Sequence, residues 1–204
     1  SDVYKGHGFT DNDVFQDYSV KLIEELQSQI HTSTTVRYDR GLAGIGSAIE
    51  YLVQQDFLDP EADDILSDFD ARMFRAVMYE PYPDFSFQEG LMGWGRYLLS
   101  RMAGRKSIRD LVSIQKALFH ILDGIENTLP EKIPEAGQMD VLCFLLASRR
   151  FPEFSLKSGE ILESDKMWGA IKNAGDFNRS FHYLGSSFLG DVVRQYLYQL
   201  YFQP

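Results

Sequence analysis

One cysteine in 204 residues, Cys143, leaves no partner for an internal disulfide and no thiolate pair for a zinc site. Basic clusters are equally scarce. Nothing longer than Arg149-Arg150 or Arg105-Lys106 interrupts a chain of net charge −10 and pI near 4.8. That balance is wrong for a phosphate backbone or an anionic membrane surface, so neither nucleic acid nor membrane is expected as a partner. The longest apolar run, Val141 to Ala147, is far short of the roughly twenty residues a spanning helix needs. Histidine is sparse too: His7, His31, His120 and His182 share no metal-ligand spacing such as i, i+4. No metal or other cofactor is expected. Ser1-Asp2-Val3-Tyr4 lacks both an initiator Met and a signal-type apolar core, which predicts a processed or cut start and a cytoplasmic location.

What the chain has instead is a repeated glycine motif. Gly41-Leu42-Ala43-Gly44-Ile45-Gly46 recurs as Gly90-Leu91-Met92-Gly93-Trp94-Gly95, an offset of 90 − 41 = 49 residues, and each copy runs into a helical apolar stripe. Forty-nine residues hold two helices and two turns, so the repeated unit is a helical hairpin. Weaker copies open at Gly137, where Met139, Phe144, Leu145 and Leu146 keep the apolar positions but two of three glycines are lost, and at Gly185. The whole chain, 1–204, therefore reads as one all-α domain of about four hairpins opening near 41, 90, 137 and 185.

The apolar periodicity places the helices. Asp11 or Asn12 caps a first one carrying Val14 to Ile30; inner, glycine-opened helices are expected over 44–55, 93–103, 140–148 and 187–202. Outer helices are expected over 63–79, over 108–126 behind a Ser107 cap, and as a polar segment over 159–172, with Pro81-Tyr82-Pro83 and Pro130 to Pro134 as breaks. The last inner helix is apolar on more than one side, through Phe188, Val192, Tyr196, Leu200 and Tyr201. It must be covered by the N-terminal helix, a second copy of the chain or a partner domain.

Glycine at the start of an inner helix admits two readings. It lets a neighbouring backbone approach closely or takes positive φ where the chain swings into the helix; alternatively the converging helix N-termini cradle an anion or a substrate carboxylate. A dinucleotide fingerprint is excluded, because no strand precedes either run.

Arg40 to Leu52 and Glu89 to Arg101 resemble the inner-helix repeats of lanthionine synthetase C-like proteins. The resemblance is strong over about Val36 to Arg101 and fades toward the C-terminus. It implies an α/α toroid, an inner ring of glycine-opened helices inside an outer ring. It also implies, for the family's cyclases, a zinc ion on two cysteines and a histidine that activates a peptide thiol. Here the pattern departs. No Cys-Gly or Cys-His-Gly pair exists, Cys143 sits among apolar residues as a buried small hydrophobe, and four hairpins form only a partial ring, about half of a complete seven-hairpin one.

The loops before the inner helices form one rim, which collects Arg37, Tyr38, Asp39, Asp84, Glu89, Glu135, Asp140, Trp94, Arg96 and His182, with Tyr82, Phe85 and Phe87 as further aromatics. The six motif glycines, Gly41, Gly44, Gly46, Gly90, Gly93 and Gly95, are structural. The resemblance implies a zinc-free binding or accessory domain for a peptide or partner protein. The alternatives are a zinc-independent α/α-barrel enzyme using two rim carboxylates, as in glycoside hydrolysis, or a fragment of a longer cyclase-like protein. Acidic runs such as Glu61 to Asp64 and Asp68 to Asp70 read as solvated faces.

Overall fold

A computed structural model describes residues 34–55, 63–104, 108–128 and 135–164, together with Lys21, Glu25, Ile30, Leu58 and Ile133. Among these residues the fold is all-α: α1 Leu42–Gln54, α2 Asp63–Tyr79, α3 Leu91–Ala103, α4 Ile108–Asn127, α5 Glu135–Ser148 and α6 Pro152–Glu163, with no strand. The helices expected at the N-terminus and over 187–202, the hairpin at Gly185 and the Ser107 cap lie outside the described residues.

Packing follows a two-layer order. In the first layer α1 lies on α3 and α3 on α5; in the second α2 lies on α4 and α4 on α6, and successive helices close hairpins between the layers. The core fills the space between layers with Leu66, Met73, Leu91, Leu98, Ile114, Leu118, Leu122 and Phe154, all 2 % exposed or less. Alternation of chain direction brings the N-terminal ends of α1, α3 and α5 to one side, which is where the glycine motifs stand.

Those glycines serve close approach, and positive φ is not their reason. Gly41 and Gly90 are extended N-caps with φ of −143° and −104°. In each case the chain six residues earlier folds back over the first turn: Leu42 N–H donates to the Thr35 carbonyl and Leu91 N–H to the Asp84 carbonyl, both at 2.9 Å. A Cβ on Gly44 would collide with the Tyr38 carbonyl oxygen, and one on Gly93 with that of Phe87. Gly46 and Gly95 instead face rings on the next inner helix, Tyr97 and Phe144. The three glycines of the two copies thus meet equivalent neighbours, although Ala43 and Ile45 are Met92 and Trp94 in the second copy.

The third copy differs. α5 begins at Glu135, five residues before the expected Asp140, and Gly137 lies inside it, where a Cβ would meet only Ile133 Cγ2 at 3.1 Å and Phe85 beyond. α6 also starts earlier than the expected 159, because Pro152 at its first turn has a helix-compatible φ and a missing N–H that costs nothing there. Phe154, Ile161 and Leu162 supply its buried face.

Candidate functional site

The rim is built by the two fold-back loops. Tyr38 and Asp39 both donate their backbone N–H to the Gln88 carbonyl, at 3.0 and 3.2 Å, which ties the first loop to the second. Arg37 forks onto Asp39 through Nε and Nη2, each at 2.9 Å, and Nη2 also reaches Glu89. The Asp39 bond holds the Arg37 guanidinium above its ordinary range, and the same bond holds the Asp39 carboxyl below its own. Arg40 adds a contact to Asp39 at 3.3 Å. Asp84 is spent on its own turn, accepting the Ser86 N–H at 2.7 Å, while Glu89 N–H donates to the Ser86 hydroxyl at 3.3 Å.

Aromatic rings line the same seam. Tyr38 lies against Phe87 with centroids 4.3 Å apart, and Tyr82 against Phe85 at 5.4 Å. Phe85 is 7 % exposed and Trp94 3 %, so both expected rim aromatics belong to the core. The reason for Trp94 is its place in the helix register: it follows Gly93 on the side turned inward, and its indole Nε1 is buried without a hydrogen-bond partner among the described residues. His182 lies outside the described residues, as does the side chain of Glu135.

Asp140 joins the third inner helix to this rim by accepting the Phe87 N–H at 2.7 Å. Burial pushes its carboxyl up to about 6, the Phe87 bond opposes that rise, and the nearby Asp84 adds to it. One turn on, Cys143 is buried, and its thiol is pushed to about 12, first by desolvation and then by Asp140, with Arg96 pulling the other way. A buried thiol raised to this range stays protonated near neutral pH and is a poor nucleophile. Among the described residues no group of three His, Cys, Asp or Glu side chains stands together as a metal site.

Sequence reasoning missed one cluster. Asp70, placed above on a solvated face, is 8 % exposed, and Glu50 and Arg101 are 1 %. Arg101 Nη2 reaches Asp70 Oδ2 and Nη1 reaches Glu50 Oε2, both at 2.6 Å; Tyr97 OH donates to Asp70 Oδ1 at the same distance. Gln54 Nε2 adds a bond to Glu50 at 3.0 Å and one to the Ser100 carbonyl at 3.1 Å. Burial and the Asp70 charge hold the Tyr97 phenol well above its usual range, so it remains a donor. The available signal was the pair of charges, Glu50 and Arg101, embedded in otherwise apolar stripes. Three helices, α1, α2 and α3, are bolted together here, away from the rim loops.

No protein-family model matches the chain, and neither a curated protein nor a solved structure matches it.

Proposed function

We propose that this chain is a partial α/α toroid similar to lanthionine synthetase C-like proteins, acting without zinc as a binding or accessory domain for a peptide. The observation that carries the reading is the contact-level identity of the two glycine repeats, which builds an inner layer with one face turned away from the outer helices. Ala48 and Tyr51 on α1 are exposed, Tyr51 to 60 %, and the Tyr38–Phe87 aromatic pair lies at the rim before the inner helices. An exposed tyrosine supplies a flat, amphipathic contact that suits a peptide without demanding one side chain.

Fluorescence polarisation with labelled unstructured peptides tests this. Saturable binding that weakens at least about fivefold in Tyr51→Ala supports the reading. Absence of binding to any peptide, together with binding of an oligosaccharide, would replace it.

One observation favours the rival, an enzyme with rim carboxylates: Asp140, titrating near 6, feels Asp84 across the rim. A half-buried acid beside an exposed carboxylate is a general acid and base in outline. Against it, Asp39 and Glu89 are held by Arg37 and Asp84 by Ser86. Turnover of oligosaccharides lost in Asp140→Asn would decide for the enzyme.

A further inference from the structure

Arg96 is half-buried and has no carboxylate partner among the described residues; Arg75, which also lacks one, is exposed. Arg37, Arg40, Arg72 and Arg101 each have a carboxylate partner. Among the described residues Arg96 makes no hydrogen bond or ion pair, and its charge opposes the rise of the Cys143 thiol. Between Leu91 and Arg101 every α3 residue is buried except Arg96 and Ser100, which are half-buried and a turn apart, so both lie on the side of α3 left least covered by the other described helices.

The repeat register places Arg96 within a row. Ser47, Arg96 and Cys143 are equivalent positions, offset by 96 − 47 = 49 and 143 − 96 = 47, in the second turn of α1 and α3 and in the third turn of α5, which starts earlier. The flanking members are neutral: the Ser47 hydroxyl is turned back to the Ala43 carbonyl at 2.8 Å, and the Cys143 thiol stays protonated. Ser100 likewise bonds back to the Tyr97 carbonyl at 2.7 Å. The acidic rim does not compensate Arg96 either, since Asp39 and Glu89 are engaged with Arg37, and Asp140 with the Phe87 N–H. Among the described residues no carboxylate pairs with Arg96 on this face. A half-desolvated guanidinium in such a place is a fork for a planar anion, and carboxylate matches it with two parallel hydrogen bonds.

We propose that Arg96 anchors a carboxylate of the bound peptide, an acidic side chain or a chain terminus, on the face flanked by Tyr51 and Cys143. This rests on the peptide-binding reading above and names the chemistry of its ligand.

The test compares three probes on the full chain by isothermal titration: the pentapeptide Gly-Phe-Glu-Phe-Gly blocked at both ends, its glutamine counterpart blocked at both ends, and the glutamine counterpart with a free C-terminal carboxylate. The wild type should bind a carboxylate-bearing probe about tenfold more tightly than the fully blocked neutral one, which one charge-assisted pair supplies. Which probe gains identifies the carboxylate as side chain or terminus. Arg96→Gln should erase the difference, while Arg75→Gln on the exposed side of α2 should leave it. Equal binding of all three probes by the wild type overturns the inference without any variant. If that equal binding still depends on Tyr51, the peptide-binding reading survives alone; if no probe binds, both fall.

Discussion

Asp140 occupies the register position of Gly44 and Gly93, and its carboxylate takes the backbone N–H of Phe87 at 2.7 Å. In the first two repeats that position is glycine because the helix's own loop lies against it; a Cβ on Gly93 would also stand 2.8 Å from Tyr38 Cβ of the preceding loop. In the third repeat the space at that position holds a side chain. The side chain that fills it reaches back to the preceding loop and continues the stitching by other means.

The Asp140 carboxyl gives stability a pH dependence. Its folded pKa, about 6, lies above the ordinary 3.8, so the folded state holds the proton more tightly. Its contribution is full below the unfolded value and is lost as pH rises through about 6. Urea midpoints of the wild type should fall between mildly acid and neutral pH, by about 1–2 kcal/mol after allowing for partial solvent access. Asp140→Asn keeps an acceptor for Phe87 and should flatten the profile across that window. A wild-type profile as flat as the variant's would contradict the assignment.

Gly44→Ala and Gly93→Ala each drive a methyl into a loop carbonyl, a backbone atom that cannot swing aside. Each should cost about 2–4 kcal/mol in thermal or urea melts. Gly159 has nothing within 4 Å of its would-be Cβ, and it lies inside α6. Gly159→Ala should therefore be neutral or stabilise by about 0.5–1 kcal/mol.

Removing Arg101 strands two buried carboxylates. Arg101→Met should lose about 3–5 kcal/mol or fail to fold, because Glu50 and Asp70 keep their desolvation cost without their cation. Tyr97→Phe removes a single donor to Asp70 and should lose about 1–3 kcal/mol. Chemical denaturation of both variants ranks them; equal losses would mean that the phenol and the guanidinium matter alike, against the geometry.

Cys143 should react with a thiol reagent such as Ellman's only as fast as α5 opens. Its thiol, at about 12, is essentially undissociated at pH 8, and the side chain is 8 % exposed. Rapid stoichiometric labelling of the native chain, matching the urea-unfolded rate, would show the site to be open. The purified chain should also carry no stoichiometric zinc after dialysis, measured by elemental analysis.

Much of the fold was legible because helix period and glycine spacing are local signals. Asp63–Tyr79 forms over the range its stripe predicts, and the other inner and outer helices up to Asn127 begin and end within two residues of expectation. Boundaries failed at α5, which starts five residues before the expected Asp140, and at α6, which Pro152 opens ahead of the expected 159. The role of the glycines was half legible: repetition announced close packing, but only the structure shows that Thr35, Tyr38, Asp84 and Phe87 are what they pack against.

The sequence by itself determined that this chain is helical, that its hairpins repeat and that one cysteine cannot build a thiolate metal site, since each follows from periodicity or composition. Tertiary structure alone decided which charges are inside. Asp70 sits in an acidic run that looks solvated, yet it meets Arg101, thirty-one residues on, at 2.6 Å. Arg96 and Arg101 stand five residues apart on one helix, and the helix turn sends Arg101 to a buried pair of carboxylates and Arg96 to the side left least covered. Partner choice of that kind depends on which helices lie alongside, and that is settled when the layers pack.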